Sequence, residues 1–390
     1  MKNWAMLLCV GCTLGLSAPL LAQQAQQGDA FALLFPKPSG KNGYEEWIMA
    51  GVIINQNEEA KKVFTKLNPS LSDIRRVFQM PEIRQAKVLF LAGLNKRISL
   101  PHNAPDLDSL YGPTPELAPL RSCARLHAKE IYLALAEGRN HDALEALRAG
   151  LQFGHQIQMQ TLLSGMIGIG MNAIVLRTLD GSLETLSVQD CSALQQLVEE
   201  WLLWVSPVAS LVASERQWIQ RAVQKVKNDP NSLLNIIDTL NAEDSTPEEM
   251  QLQRDIQNNV GRMSGLMSEA GALIESYFQE VAQNLKLPPY KRKATPRIPK
   301  TTLAGRVAYT FLIAGDRVAY RYDRERASMQ MLGVRAALRR YHWEHTRYPV
   351  RLSELRLGEL AIDPFTGKPF TYRLEGDAYS LKTEDPTESM

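Results

Sequence analysis

Cysteine is scarce in this chain: there are four in 390 residues, and two of them, Cys9 and Cys12, fall within the first 22. A disulfide-stapled scaffold is thereby excluded, and no Cys-x-x-Cys pair follows residue 22. Cys123 and Cys191 remain, either as one disulfide in an oxidising compartment or as two small buried thiols. An excess of one charge is also missing. Of 44 basic and 42 acidic residues, one, Lys2, lies ahead of residue 22, so the remainder carries a net charge of +1. A nucleic-acid partner, which needs a basic surplus, is not expected. No His-Glu-x-x-His, Gly-x-Ser-x-Gly or Ser-x-x-Lys motif occurs. Thr366-Gly367-Lys368 mimics part of a phosphate loop, but Ile362 stands where that loop needs glycine. Catalytic, cofactor-binding and metal residues are therefore all expected to be none.

What is present is an ordinary globular composition, 45% hydrophobic and 22% charged, which favours a packed core over disorder. The N-terminus reads Met1-Lys2-Asn3, an apolar run Trp4–Leu16, then Ser17-Ala18-Pro19-Leu20-Leu21-Ala22. A positive start, an apolar stretch and a small-residue exit predict a signal peptide over 1–22, cut after Ala22. The run is shorter than the roughly 20 residues of a spanning helix, so no stable transmembrane anchor is expected after cleavage. The mature chain is expected to be exported, in the periplasm or cell envelope.

Residues 23–43 read as a linker and 44–286 as a helical domain. Ser70 before Leu71, and Pro81-Glu82 before Ile83, are helix starts. Pro101, Pro105, Pro113, Pro115 and Pro119 exclude helix over most of 97–119, a long loop or lid. A helix from Glu116 to Glu137 closes at Gly138, and Asn140 caps another running to Gln158. The segment 132–147 resembles one tetratricopeptide-type hairpin, without a second copy at the 34-residue period. Leu162–Leu176, with Gly165, Gly168 and Gly170, reads as a core helix built for close contact. Val188–Trp204 and Pro207–Asn228 follow, and Ser245-Thr246-Pro247-Glu248-Glu249 opens a helix expected to reach Leu285. Leu287–Lys300 carries five positive charges and reads as part of a basic, Pro-rich, solvated linker over 287–302. A long helix is expected from Leu303 to His345, its Asp323-Arg324-Glu325-Arg326 segment forming i,i+3 and i,i+4 pairs on a wet face.

The last sixty residues are the most patterned. A helix ends in Ala337-Leu338-Arg339-Arg340-Tyr341-His342-Trp343-Glu344-His345-Thr346-Arg347-Tyr348-Pro349. Asp363-Pro364 and Thr366-Gly367 turn into a strand Pro369–Leu374, and Glu375-Gly376-Asp377 leads into a second, Ala378–Thr383. This pattern resembles the C-terminal region of type II secretion pseudopilins over residues 330–383. Some 300 residues precede it, and Lys382-Thr383-Glu384-Asp385-Pro386 replaces the acidic calcium segment, so neither filament assembly nor calcium carries over. As a whole the mature chain resembles a family of exported helical bacterial proteins without assigned activity, which implies a fold and a location only.

The fold class expected is mainly α: a multi-helix, solenoid-like bundle with one tetratricopeptide-like hairpin, and a small α+β segment over 303–390. The function expected is non-enzymatic, binding or scaffolding an envelope protein, with 97–119, 132–147 and 337–383 as contact surfaces. Two alternatives stand beside it. One is an envelope or extracellular hydrolase whose lid would carry Asp106, Asp108 and Tyr111. The other is an accessory protein of a secretion apparatus. Among the histidines, His342 and His345 share one helix face, and His127 and His155 sit on neighbouring helices where they could meet.

Overall fold

Helix dominates the computed structural model, which describes residues 37–99, 115–159, 161–179, 181–204, 208–229, 247–312 and 315–385, together with 31, 34, 35, 232 and 233. The mainly α class with a small C-terminal α+β segment is the one the chain adopts. Three apolar clusters organise it.

The first cluster gathers α1 (Gly43–Gln56), α2 (Glu58–Thr65), α3 (Leu71–Gln79) and α4 (Pro81–Leu94). Each helix start is chemically marked. Asn42 Oδ1 accepts the Tyr44 N–H at 3.0 Å, Asn57 accepts from Ala60 at 2.9 Å, Ser70 accepts from Asp73 at 3.1 Å, and Pro81 opens α4. Trp47 is fully buried, its ring perpendicular to Phe153 at 4.8 Å, and its indole N–H donates to the Phe90 carbonyl at 3.2 Å. Cys123 is buried here with its thiol 3.3 Å from the Trp47 carbonyl, and Cys191 is buried in a different cluster; both are free thiols.

The expected hairpin forms from α5 (Leu117–Ala136) and α6 (Asn140–Gln158). Gly138 has φ +71°, and the Arg139 and Gly138 amides reach back to the Ala134 and Leu135 carbonyls at 2.8 and 3.1 Å. That reverse-turn closure uses a backbone conformation that only glycine adopts cheaply. Asn140 is the first helical residue, not the cap. Its side chain instead donates to Asp190 at 2.9 Å, tying the hairpin to the start of α8.

Next, α7 (Leu162–Leu176) begins in a reciprocal cap between Thr161 and Ser164. It packs on α5, α6 and the long helix described below. Its residues 162–179, like 188–228, are long and apolar enough to cross a membrane by length and composition. In the fold α7 serves as a core helix: a Cβ on Gly168 would overlap the Gly154 carbonyl, and a Cβ on Gly154 would overlap the Asn172 amide.

After it come α8 (Val188–Trp204), α9 (Val208–Asn228), α10 (Pro247–Gln257), α11 (Met263–Asn284), α12 (Leu303–Thr310) and α13 (Gly315–His345). Two expected long helices are thus each divided. The first breaks at Asn258-Asn259-Val260-Gly261, where the Asn259 side chain takes the Asp255 carbonyl at 2.7 Å and competes with the helical ladder. The apolar seam still holds on both sides: Ile256, Met263, Met267, Ala270, Ile274, Phe278 and Val281 are buried, while Val260 at the break is exposed. The second breaks after Thr310, where Phe311 and Leu312 close tight i,i+3 turns on Ala308 and Tyr309.

The basic segment 287–302 is not a free connection. Arg292 forms a largely buried ion pair with Asp323, Asn284 grips both the amide and the carbonyl of Lys293, and Ile298 is buried. It straps α11 to α13.

The second cluster joins α8 and the C-terminal half of α13 to the tail. Strands β1 (Thr371–Glu375) and β2 (Ala378–Lys382) pair antiparallel, with Glu375 opposite Ala378 across Gly376-Asp377. Phe370 and Leu381 are buried, and Tyr372 and Tyr379 lie against the same cluster. Buried Asp363 fixes the approach: its carboxylate accepts from Phe365 N–H at 2.9 Å, Thr383 Oγ1 at 3.0 Å and Glu384 N–H at 2.8 Å.

Candidate functional site

Within Asp323-Arg324-Glu325-Arg326 the two acids do not lie on a wet face, whereas Arg326 is exposed and Arg324 half-buried. Glu325 is 7% exposed and Asp323 9%. Helical phase explains it: Tyr322, Glu325 and Met329 step by three and four along α13, and Tyr322 and Met329 are core residues. Glu325 accepts hydrogen bonds from two side-chain amides rather than from cations. Gln158 Nε2 lies 2.9 and 3.1 Å from its two oxygens, and Asn172 Nδ2 lies 2.7 Å away. Burial pushes the Glu325 carboxyl up to about 7, against the opposing pull of those donors.

A second buried acid faces the N-terminal end of α7, the helix that carries Asn172. Glu215, on α9, is 4% exposed and sits 3.5 Å from the Leu162 amide at the N-terminus of α7. Burial raises it to about 7 as well, with the Leu162 N–H pulling back only weakly. Tyr322 joins the two regions, its ring against Gly165 and its hydroxyl 3.5 Å from the Gln158 carbonyl. Asp323 is raised by burial to about 6 even though Arg292 opposes the shift.

Carboxyls titrating near neutrality fall in the range of general acids and bases. Two cavities can be compared with them. One, about 190 Å³, lies between α11, the strap and α13 and includes Asp323; the other, about 150 Å³, lies between α1, α2 and α5. Neither is lined by Glu215 or Glu325. These two acids are core groups that hold α6, α7, α9 and α13 in register.

The end of α13 has a different character. Trp343 is 50% exposed, yet its indole N–H is fixed to the Leu186 carbonyl at 3.0 Å and the Arg339 guanidinium lies 4.9 Å from its ring centre. Tyr341 stacks on His345 at 4.0 Å, donates to Glu354 at 3.0 Å, and has Arg347 at 5.8 Å on its face. Val350 is 62% exposed beside them in the chain. Tyr348 turns inward onto Tyr379 at 4.8 Å, and the Tyr372 hydroxyl holds the Pro349 carbonyl at 2.6 Å. The hairpin thus braces the turn that displays these aromatic and arginine side chains.

The histidine pairs separate. His345 Nδ1 lies 3.0 Å from the Tyr341 carbonyl, while His342 packs on Tyr348. His127 lies on Phe90 at 4.0 Å, whereas His155 neighbours Trp204 at 6.1 Å. Among the described residues no group of three histidine, cysteine or acidic side chains forms a metal cluster. Asp106, Asp108 and Tyr111 lie outside the described residues. Sequence reasoning missed Glu215, Asp323 and Glu325; the spacing of Tyr322, Glu325 and Met329 was the available clue. Compared with protein-family models, with curated proteins and with solved structures, the chain matches none.

Proposed function

We propose that this is an exported, non-enzymatic helical protein that binds a protein partner in the cell envelope through the face at the end of α13. The observation that carries the reading is the pair of aromatic–arginine contacts at the end of α13, Trp343 with Arg339 and Tyr341 with Arg347, followed in the chain by exposed Val350. Tryptophan, tyrosine and arginine dominate the energetics of protein interfaces. Trp343 is exposed but already held by a hydrogen bond and a stacked guanidinium, so little side-chain freedom is lost on binding. The hairpin behind it supports a narrower form of the proposal, in which the partner belongs to a secretion apparatus.

The test compares the native chain with a Trp343→Ala/Val350→Glu variant after chemical crosslinking in intact envelopes. The expected result is a defined envelope protein recovered with the native chain and lost with the variant, while circular dichroism shows equal helicity. Equal recovery with both forms contradicts the assignment. Export itself is checked by the N-terminus of the protein recovered from the envelope fraction, which should begin at Gln23.

A further inference from the structure

We propose that the basic strap over residues 287–302, with Lys286 just ahead of it, is a peripheral docking surface for the headgroups of an anionic phospholipid bilayer. The inference is independent of the partner contact at the end of α13.

Charge placement comes first. From residue 281 to residue 315 the chain has seven cations and no acid. Two of the seven are paired across to other helices, Arg292 with Asp323 and Arg306 with Asp255, each within 2.6 Å. The other five, Lys286, Lys291, Lys293, Arg297 and Lys300, are exposed and have no ion pair among the described residues. Arginines elsewhere are treated differently: on α3, Arg75 pairs with Glu137 and Arg76 with Glu59, each at 2.6 Å. The first acid upstream of the strap, exposed Glu280, marks where the basic run begins. In a chain with a net charge of only +2, five uncompensated cations within fifteen residues are a local excess.

The strap is also held in shape. Asn284 grips the carbonyl and the amide of Lys293 at 2.7 and 2.9 Å, Ile298 is buried, and the Pro299 carbonyl lies so close to Gly305 that a Cβ there would overlap it. Pro288, Pro289, Pro296 and Pro299 fix their own backbone torsions. These anchors use the backbone, one arginine and one isoleucine, so the lysine heads remain free for a partner. A surface ordered in advance loses little backbone freedom on binding.

Apolar groups interleave with the charge. Leu287 is 41% exposed, Tyr290 45% and Tyr309 50%. Lys291 lies 5.5 Å from the centre of the Tyr290 ring, and Lys300 3.4 Å from that of Tyr309. The Tyr290 ring is seated on the C-terminal turn, where a Cβ on Gly367 would come within 2.6 Å of it. Tyrosine settles at the headgroup level of a bilayer, and lysine stems cover apolar surface while their ammonium groups reach the charge beyond.

Composition selects the partner. Four of the five free cations are lysine, a mobile point charge, and one is arginine, whose planar fork suits a fixed bidentate acceptor. Protein interfaces are depleted in lysine. Clusters of about four to eight cations with neighbouring apolar groups suit the laterally mobile phosphates of anionic lipid, and each lysine held near such a surface is worth about fivefold in partitioning.

The experiment is co-sedimentation of the protein as recovered from cells with vesicles of equal parts phosphatidylglycerol and phosphatidylcholine, beside vesicles of phosphatidylcholine alone. Binding to the anionic vesicles only is expected, released at about 1 M salt, where the screening length falls to about 3 Å. A Lys291→Gln/Lys293→Gln/Lys300→Gln variant should bind about a hundredfold more weakly. Tyr309→Gln should weaken binding severalfold. A Lys37→Gln/Lys41→Gln/Lys62→Gln variant loses the same charge from exposed positions outside the strap and should bind as the native chain does. Equal circular dichroism of the variants guards against a folding defect. No binding to anionic vesicles, equal binding to neutral ones, equal loss in both triple variants, or retention on heparin without vesicle binding overturns the proposal.

Discussion

Replacing Glu325 by glutamine isolates the energetic role of the buried acid junction. The native carboxyl has its pKa raised from 4.5 to about 7 on folding. Such a group stabilises the fold fully below its unfolded pKa, and that stability is lost as pH rises through the folded pKa. A shift of about 2.5 units, at 1.36 kcal/mol each, is about 3 kcal/mol withdrawn between pH 4.5 and pH 8. Glutamine is the neutral isostere of the protonated acid and does not titrate. Its extra N–H also finds an acceptor: Asn172 Oδ1 is buried without a donor, and a flip of the Asn172 or Gln158 amide preserves the remaining bonds. Urea unfolding followed by circular dichroism should therefore show Glu325→Gln within about 1 kcal/mol of native at pH 5 and about 2–3 kcal/mol more stable than native at pH 8. A variant destabilised equally at both pH values would refute the reasoning, because Glu325 would then be acting as an ion rather than as a neutral acid.

Glu215, raised to about 7 by burial, should give the same sign, and Glu215→Gln should flatten the remaining fall in stability between pH 5 and 8. On α7, Gly168→Ala should cost about 1–3 kcal/mol by overpacking, because its methyl meets the Gly154 carbonyl and the Gln158 stem; Gly170→Ala, with open space around it, should instead stabilise by up to about 1 kcal/mol in thermal melts. Cys123 and Cys191 should resist alkylation in the native chain and carry no disulfide in peptide maps, since both are buried and burial raises both thiols, Cys191 to about 11. Asp363→Ala should strand three donors and cost at least about 2 kcal/mol, read locally as faster hydrogen exchange across Thr371–Lys382.

Much of the scaffold is written locally. Ser70 and Pro81 mark helix starts, Gly138 marks a helix end, and the two-residue turn before Ala378 sets the hairpin, each through chemistry confined to a few neighbours. The divisions near residues 258–261 and 311 were harder to read, because the apolar spacing continues across the first and an apolar stretch runs through the second. The buried junction was hardest. Among four alternating charges on α13, Glu325 looks as solvated as its neighbours until Gln158 and Asn172 are known to stand opposite it, 167 and 153 residues away in sequence.

The central claim is that the end of α13 is a contact surface, and site-specific photocrosslinking tests it most directly. A photoreactive residue placed at 343 in intact envelopes should yield a discrete crosslinked species, and the same residue at exposed Glu82 on α4 should not. Matching patterns at 343 and 82, or no crosslinked species at 343, would contradict the account.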